Sequence, residues 1–319
     1  MKFNINNTFN LGEFETASNE LKIKLAKNLD KICRNTGFIF ISNHGIKESV
    51  IKNIWTVVDE FFDKDKAFKN LVSIPYKGYP YGYIAVGKEA LAKSKGNHTP
   101  HDLKESFNGG PIIKPDNILD KDALDFCYAP TIWPKIYRFK SSWSKYYKEM
   151  EHLSKRIMNA FAVALNLPEN YFDNFINEPI SALRALNYPI VKNNILPDQQ
   201  RAGAHTDYGS LTILLPKHSS EGLQILNKKQ NWIDVEANSG TFIINLGDLM
   251  ARWTNDRWVS TLHRVISKDS NKERKSLAFF HQPNWNAEIK CLETCTQNKI
   301  KYKPIKSGPY LMSKFKSTI

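Results

Sequence analysis

The alternation of apolar and polar positions changes its period about halfway along the chain. In the first half, apolar side chains recur every three or four positions in three segments, which predicts helices over 21–32, 50–68 and 132–165. A short apolar run at 37–41 predicts a strand between the first two helices. Residues 73–130 are rich in Gly, Pro and Tyr, and we expect them to form long loops.

The second half of the chain follows a period of two residues, which is typical of strands. The predicted strands are short, are separated by turn residues, and cover 181–190, 203–216, 222–227, 231–235, 240–246, 261–267 and 274–282. Many short strands indicate a sandwich or barrel, so the predicted class is α+β, with helices packed around a β core.

No linker separates the two halves, so we expect one globular unit. Its predicted parts are a mixed helix and strand region at 1–130, a long helix backing the core at 131–175, the β core at 176–290 and a C-terminal tail at 291–319.

The composition is that of an ordinary globular protein, with 319 residues, 41% hydrophobic and 24% charged. The four cysteines do not form a disulfide framework. Cys291 and Cys295 lack a second cysteine or histidine pair nearby, so we interpret them as ordinary thiols. Neither a run of about 18 apolar residues nor an apolar signal segment occurs, so we expect no membrane span, no secretory signal and a reduced, cytoplasmic protein.

The chain is basic, with a net charge of +13. Such a charge can indicate nucleic acid, an anionic membrane or an anionic small molecule as partner. Because the lysines are scattered rather than clustered, the pattern favours a solvated surface, with an anionic small molecule as the second interpretation. No patch interleaves arginines with aromatic residues, so nucleic acid is disfavoured.

Two histidines and one aspartate form the first candidate site. His205 and Asp207 are two residues apart in a predicted strand, so both project from one face, whereas Thr206 points the other way. His263 follows in another β-rich stretch, 56 residues after Asp207. Two histidines and one carboxylate form the facial triad of non-haem Fe(II) sites, which leaves room for a bidentate co-substrate and O₂. The same set also binds Zn²⁺. An H-x-D pair also occurs often by chance, and a histidine in a strand is usually an ordinary core or surface residue, so these three residues alone leave open both the metal and whether they form a metal site.

An arginine and a serine on a later strand add a binding site for a carboxylate. Arg274 and Ser276 share one face of the strand predicted at 274–282. The guanidinium group can bind a carboxylate bidentately, and the hydroxyl group one pleat along can bind its other edge. Taken alone, Arg274 is better interpreted as one more solvated cation in a charged run. Combined with the triad, the pair favours a 2-oxo acid whose keto and C1 carboxylate oxygens chelate iron and whose far carboxylate meets Arg274.

These motifs, in this order, resemble those of the isopenicillin N synthase-like family of Fe(II)/2-oxoglutarate-dependent oxygenases. The resemblance covers nearly the whole chain, because five further segments are similar to family motifs: 37–45, 102–107, 184–189, 245–248 and 253–257. It implies a double-stranded β-helix (jelly roll) core with iron inside one end, together with N-terminal and flanking helices.

The resemblance also implies the metal and the reaction. His205, Asp207 and His263 are the implied catalytic residues and Fe(II) ligands. The implied co-substrates are 2-oxoglutarate and O₂, with ascorbate as an optional addition. The implied reaction releases succinate and CO₂ and hydroxylates, desaturates or cyclises a small molecule. Two alternatives stay open, namely an oxidase of the same fold that does not consume 2-oxoglutarate, and a non-catalytic jelly-roll binding protein.

Other matching residues have implied roles in co-substrate binding or in the fold. Arg274, Ser276 and Tyr188 are the implied 2-oxoglutarate-binding residues, unless Tyr188 is only a packed core residue. We interpret His44 as a structural turn residue and Glu105 as the partner of a basic side chain. The remaining histidines have no partner at ligand spacing and are predicted at the surface or in loops: His98, His101, His152, His218 and His281.

The sequence does not identify the substrate. In such folds specificity is set by variable segments, here the loops around 73–115, the helix after 134 and the tail 296–319. The loops around 73–115 are expected to roof the pocket, and they contain Lys77, Lys88, Lys93, Lys95 and Lys104. Together with the net charge, these lysines predict a substrate with at least one carboxylate or phosphate group. No oligomeric state is indicated.

Overall fold

The computed structural model describes most of the chain, namely residues 7–92, 100–116, 118, 120–190, 196, 199–218, 221–237, 240–267, 272–296 and 299–316. Its α-helices are α1 (Leu11–Thr16), α2 (Asn19–Asn35), α3 (Glu48–Phe62), α4 (Lys66–Asn70), α5 (Phe139–Ala164), α6 (Asp248–Trp253) and α7 (Ser307–Lys316). Its strands are β1 (Thr8–Asn10), β2 (Phe38–Ser42), β3 (Gly82–Ile84), β4 (Glu105–Gly109), β5 (Ala182–Tyr188), β6 (Ala202–His205), β7 (Leu211–Pro216), β8 (Leu223–Leu226), β9 (Trp232–Asp234), β10 (Phe242–Leu246), β11 (His263–Val265), β12 (Arg274–His281), β13 (Glu288–Ile289) and β14 (Ile305–Lys306).

Two sheets face each other to form the β core. The larger sheet has the strand order β1-β2-β10-β7-β12-β5-β4-β3, and the smaller has the order β6-β11-β8-β9. Their inner faces meet in one buried cluster, to which the larger sheet contributes Leu186 and Ala278 and the smaller contributes Leu223 and Val265. The predicted α+β class is confirmed.

The outer face of the larger sheet packs against helices because its side chains alternate. In β12, Leu277 and Phe279 join the helix-side core, whereas Ser276 and Ala278 point toward the space between the sheets. The ring of Phe279 contacts Tyr147 of α5, with the ring centroids 5.1 Å apart. The long helix α5 therefore supports the strand that lines the interior. None of the described helices combines the length and apolarity that a membrane span requires.

Two predicted helices have different boundaries in the structure. The helix expected at 50–68 is divided, because α3 ends at Phe62 and Asp65 starts α4 by accepting a hydrogen bond from Phe68 N at 2.8 Å. The helix expected from residue 132 begins only at Phe139. Pro134 disfavours helical geometry in the residue before it, and Arg138 has a left-handed backbone with φ of 61°.

The expectation of loops throughout 73–130 is wrong, because β3, β4 and a π-helical turn at Ala123–Cys127 lie there. In β4, Phe107 is the one large apolar side chain. Its neighbours Glu105, Ser106 and Asn108 are polar yet buried. An apolar pattern could not reveal a strand whose buried inner face is polar.

The strand expected at 203–216 is two strands that belong to different sheets. Strand β6 ends at His205 and β7 begins at Leu211, so Asp207 lies in the turn between them. This turn packs tightly on the start of α6, where a Cβ atom on Gly247 would lie 2.2 Å from the carbonyl oxygen of Gly209. The backbone N–H group of Asp248 also donates to the carbonyl oxygen of Asp207 at 2.8 Å. The turn therefore fixes Asp207 without a strand.

Candidate active site

The three predicted metal ligands meet in the cavity between the two sheets. His205 on β6 lies opposite His263 on β11 in the strand register, and their ring centroids are 4.4 Å apart. Asp207 places Oδ1 3.7 Å from His205 Nε2 and 3.8 Å from His263 Nε2. The ligand atoms lie within 4.8 Å of one another, so one metal ion can reach all three.

Backbone carbonyl groups fix the orientation of both imidazole rings. His205 Nδ1 lies 2.7 Å from Gly203 O, and His263 Nδ1 lies 3.0 Å from Thr261 O. Because a carbonyl oxygen only accepts, each Nδ1 carries the proton and donates it. Each Nε2 then has its lone pair free for a metal.

Two polar side chains hold the carboxylate of Asp207. Thr212 Oγ1 donates to Asp207 Oδ2 at 2.6 Å, and Asn245 Nδ2 donates to the same oxygen at 2.7 Å. Oδ1 is thereby left for the metal. Sequence reasoning missed both supports, although Asn245 lies in a segment that resembles a family motif.

Burial and neighbouring groups set the ionisation of the triad. Burial, reinforced by the nearby His263 imidazole, lowers the pKa of His205 to about 4. Burial by itself would raise the pKa of Asp207, but the two imidazoles and the hydrogen bonds from Asn245 and Thr212 outweigh it and lower that pKa. At neutral pH, a neutral His205 therefore stands beside an ionised Asp207, which is the state that binds a divalent cation.

The guanidinium group of Arg274 is buried in the same cavity. Its exposed fraction is 7%, Nη1 donates to Ser276 Oγ at 3.3 Å, and Nε and Nη2 have no hydrogen-bond partner among the described residues. Tyr188 lies opposite Arg274 in the β5–β12 register, with its ring centroid 4.9 Å from the guanidinium carbon. Arg274 is therefore not a solvated surface cation. A buried cation with two unsatisfied donors fits an anionic ligand such as a 2-oxoglutarate carboxylate.

A cavity of about 230 Å³ connects the triad with Arg274. Every second side chain along β12 lines it, from Arg274 and Ser276 to Phe280. At about 3.4 Å per residue, Arg274 and Phe280 are roughly 20 Å apart along the strand. The cavity therefore extends beyond Arg274 into a second part, here called the distal compartment, which is lined by Asn108, Phe126, Arg184, Phe280, Gln282 and Phe315.

The C-terminal helix α7 closes the distal compartment. The Phe315 ring contacts Phe126 of the π-helical turn, with the ring centroids 4.5 Å apart. Leu311 from the same helix also lines the cavity. Sequence reasoning assigned this stretch to a tail that influences specificity and did not predict a helix there.

Charged groups beside the distal compartment neutralise one another. Lys104 Nζ lies 2.9 Å from both Glu89 Oε2 and Asp102 Oδ2, and Arg184 Nη1 lies 3.2 Å from Glu89 Oε1. Burial would raise the pKa of Glu89, but Arg184 and Lys104 outweigh it and lower that pKa to about 2. The two cations are thus matched by two carboxylates.

Other residues singled out in the sequence make contacts that stabilise the fold. His44 Nδ1 accepts a hydrogen bond from Ile46 N at 3.0 Å, as expected of a turn residue. Glu105 binds Lys69 at 3.0 Å, which confirms its basic partner. The prediction for His281 is wrong, because it is buried in β12 with Nδ1 2.6 Å from Ser210 Oγ.

The remaining histidines give mixed outcomes. His101, His152 and His218 are exposed, as predicted. His98 lies outside the described residues. All four cysteines are free of disulfide bonds, and Cys33, Cys127 and Cys295 are buried.

Sequence comparisons match both halves of the chain to known families. Residues 180–283 match the 2OG-Fe(II) oxygenase superfamily, and residues 8–136 match the family described as non-haem dioxygenase in morphine synthesis N-terminal. A homoarginine-6-hydroxylase from Oryza sativa subsp. japonica is 31% identical over 92% of this chain and 88% of its own. The 2-oxoglutarate-dependent dioxygenase caaD from Aspergillus niger is 30% identical over 85% of this chain and 82% of its own.

Solved structures are similar over nearly the whole fold. A full-length Neurospora crassa protein in complex with alpha-KG (2-oxoglutarate) is 30% identical, with a TM-score of 0.85 over 98% of this chain and 96% of its own. The same protein was also solved with alpha-KG and thymine. This likeness confirms that the two-sheet core is the predicted double-stranded β-helix.

Proposed function

Since the chain belongs to the 2OG-Fe(II) oxygenase superfamily, we propose that Arg274, Ser276 and Tyr188 bind its 2-oxoglutarate and that the enzyme hydroxylates, desaturates or cyclises a small molecule held in the distal compartment. One observation carries the proposal: the buried Arg274 guanidinium has two unpartnered N–H groups in the cavity that contains the triad. The far carboxylate of 2-oxoglutarate would satisfy both groups in a bidentate pair.

Bound Fe(II) supplies the oxidative chemistry, in which 2-oxoglutarate and O₂ give succinate and CO₂ while the second oxygen atom enters the substrate in a hydroxylation. His205, Asp207 and His263 would hold the ion through Nε2, Oδ1 and Nε2. Hydrogen bonds from Thr212 and Asn245 keep the Asp207 carboxylate in one orientation. The ligand set is therefore organised by the chain itself before a metal arrives.

The residues around Arg274 orient the co-substrate. Ser276 Oγ accepts a hydrogen bond from Arg274 Nη1, and the Tyr188 ring lies against the guanidinium group. Two contacts therefore hold the guanidinium group in place. Phe126 and Phe315 close the distal compartment with apolar surface. Together these contacts direct the 2-oxoglutarate carboxylate to Arg274 and shield the substrate from bulk water.

The substrate is a small molecule, since the cavity of about 230 Å³ lies below the range of about 300–1,000 Å³ for drug-sized ligand sites. The rice relative is named for homoarginine, and the Neurospora protein was solved with thymine. Homoarginine and thymine differ in charge and shape. At about 30% identity, neither molecule can be assigned to this chain as its substrate.

The predicted anionic group on the substrate has limited structural support. Lys104 is buried and already paired with two carboxylates. Lys77 and Lys88 are exposed, and Lys93 and Lys95 lie outside the described residues. If these lysines steer an anion, kcat/KM for the true substrate falls with ionic strength while kcat stays constant. A salt-independent kcat/KM would reject the anionic prediction.

The co-substrate proposal is tested by 2-oxoglutarate binding to anaerobic Fe(II) enzyme. Arg274→Ala should weaken binding more than a hundredfold, because removal of one partner from a buried charge pair costs about 3–5 kcal/mol. Arg274→Lys should also bind poorly, since a point charge cannot replace the fork. Lys275→Ala is the matched control, because Lys275 is the next residue of β12 and its ammonium group contacts Asp59 on the opposite face.

Turnover provides the second part of the test. Wild-type enzyme with its substrate should release one succinate for each substrate oxidised. Near-normal 2-oxoglutarate affinity in Arg274→Ala, or product formation without succinate, would favour the oxidase of the same fold.

A further inference from the structure

Asn108 has an unsatisfied carboxamide group in the distal compartment. The residue has an exposed fraction of 3%, and neither Nδ2 nor Oδ1 has a hydrogen-bond partner among the described residues. A buried amide without partners costs about 1–3 kcal/mol for each unmade hydrogen bond. Because the carboxamide has one donor side and one acceptor side, it offers a complementary ligand two adjacent hydrogen bonds.

The strand register directs this carboxamide into the cavity. Phe107, its neighbour in β4, packs in the helix-side core, so Asn108 must point the other way. Across the sheet, Asn108 pairs with Arg184, and Arg184 pairs with Ala278. All three residues line the cavity. Asn108 therefore belongs to a row of side chains that crosses the floor of the distal compartment.

This row is separated from the 2-oxoglutarate residues. Ala278 follows Arg274 by four residues on the same face of β12, a distance of about 14 Å along the strand. Asn108 also lies two strands away from β12, since β5 stands between them. A 2-oxoglutarate molecule bound at Arg274 would leave the Asn108 carboxamide to a different ligand.

The electrostatics beside Asn108 favour a neutral ligand. Glu89 and Asp102 compensate Lys104 and Arg184 at distances of 2.9 to 3.2 Å. An additional charge placed here would lose its hydration, and the described residues offer it no free counter-charge. Three aromatic side chains, Phe126, Phe280 and Phe315, form apolar walls, and the uncharged Gln282 also lines the compartment.

On this basis, and resting on the proposed function, we infer that Asn108 is a specificity-determining residue for a substrate with an uncharged amide-type group, in which a carbonyl acceptor stands beside an N–H donor. Lactams, imides and primary carboxamides have this arrangement. The carboxamide N–H of Asn108 donates to the ligand carbonyl, and its carbonyl accepts from the ligand N–H. The aromatic side chains enclose the apolar remainder of the molecule.

Matched pairs of neutral probes test the inference by binding, independently of turnover. The pairs are uracil with 1,3-dimethyluracil, benzamide with N,N-dimethylbenzamide, and 2-piperidinone with its N-methyl derivative. Benzoate and benzylamine are the charged probes. Each is titrated into anaerobic enzyme loaded with Fe(II) and 2-oxoglutarate, and dissociation constants are measured by ligand-observed NMR and calorimetry.

The N–H member of at least one pair should bind at least tenfold more tightly than its methylated counterpart. Asn108→Leu, which is nearly isosteric and lacks both polar groups, should abolish that preference and leave 2-oxoglutarate affinity unchanged. Asn53→Leu, on the exposed face of α3, is the matched control and should keep the preference. If Asn108→Leu does not fold, Asn108→Ala replaces it, and the wild-type comparison remains decisive in either case.

Three results would overturn the inference: no N–H member preferred by the wild type, the preference retained in Asn108→Leu, or a charged probe bound more tightly than every neutral amide. Failure of the proposed function is distinguishable, because it would appear as wild-type enzyme that does not bind 2-oxoglutarate or whose binding does not depend on Arg274.

Discussion

Arg274 and Tyr188 face each other across the β5–β12 pair, with the guanidinium carbon 4.9 Å from the centre of the tyrosine ring. Both residues are buried, Arg274 lines the cavity, and its Nε and Nη2 have no hydrogen-bond partner among the described residues. If Arg274 binds the co-substrate carboxylate as proposed, its guanidinium group is already held in place before binding, which lowers the entropic cost.

Substitutions of Tyr188 separate its ring from its hydroxyl group. Tyr188→Phe keeps the ring beside the guanidinium group and removes only the hydroxyl group, which would be free to donate to the co-substrate, so 2-oxoglutarate affinity should fall by about fivefold or less. Tyr188→Ala also removes the packing surface and should weaken binding by a further order of magnitude. Anaerobic titration of both variants with 2-oxoglutarate measures these affinities. Equal affinities in Tyr188→Phe and Tyr188→Ala would show that the ring does not orient Arg274.

Thr212 tests the support of the triad. Thr212→Val removes the hydrogen bond to Asp207 Oδ2 and keeps the shape of the side chain. Loss of such a support should weaken Fe(II) binding by about 10–100-fold, as measured by competition with a chelator. Thr56→Val is the control, because the Thr56 hydroxyl group is exposed on α3 and donates to the carbonyl oxygen of Lys52, one turn earlier. Unchanged iron affinity in Thr212→Val would mean that Asn245 alone fixes the carboxylate.

His281 makes the stability of the protein depend on pH. Burial lowers its pKa to about 3 from the ordinary value of 6.5. Between these pH values the unfolded chain binds a proton that the folded chain excludes, so the free energy of unfolding decreases as pH falls from 6.5 toward 3. One such proton contributes a slope of up to about 1.4 kcal/mol per pH unit.

His281→Asn should reduce that slope in denaturant titrations between pH 7 and pH 4. His152→Asn, at an exposed position of α5, should have the slope of the wild type. Identical slopes in all three proteins would mean that His281 is protonated in the folded state.

Glu105 stabilises the start of β4. Its carboxylate accepts from Lys69 Nζ at 3.0 Å, from the Tyr83 hydroxyl at 2.5 Å and from Asn187 Nδ2 at 2.9 Å. Glu105→Gln leaves the Lys69 charge without its partner and should lower the free energy of unfolding by about 3–5 kcal/mol. Glu60→Gln, in an exposed pair with Lys64, should change it by less than about 1 kcal/mol. Equal losses would show that the Glu105 network is not effectively buried.

The sequence predicted those parts of the molecule in which chemistry and pattern coincide. The spacing of His205, Asp207 and His263 identified the ligand set although Asp207 is in a turn, because a tight turn can direct a side chain as a strand does. Alternation in β12 placed Arg274 and Ser276 on one face, which the structure shows. The helix and strand periods predicted the α+β class, because each period arises when one face of a helix or strand is buried.

The missed features are those whose buried face is polar or whose partner is distant in sequence. Strand β4 was hidden because Glu105, Ser106 and Asn108 are polar, and their burial depends on β5 and α4, which lie elsewhere in the chain. The role of Asn245 depends on contact with Asp207, 38 residues earlier, which no local pattern predicts. Neutralisation of Lys104 likewise required knowledge of where Glu89 folds.

A structure of the enzyme prepared anaerobically with Fe(II) and 2-oxoglutarate tests the roles of the triad and of Arg274 together. We expect iron bound by His205, Asp207 and His263, and the far carboxylate of 2-oxoglutarate within hydrogen-bond distance of Nε or Nη2 of Arg274. A 2-oxoglutarate molecule bound elsewhere, with these two nitrogens still without a ligand contact, would show that Arg274 does not bind the co-substrate.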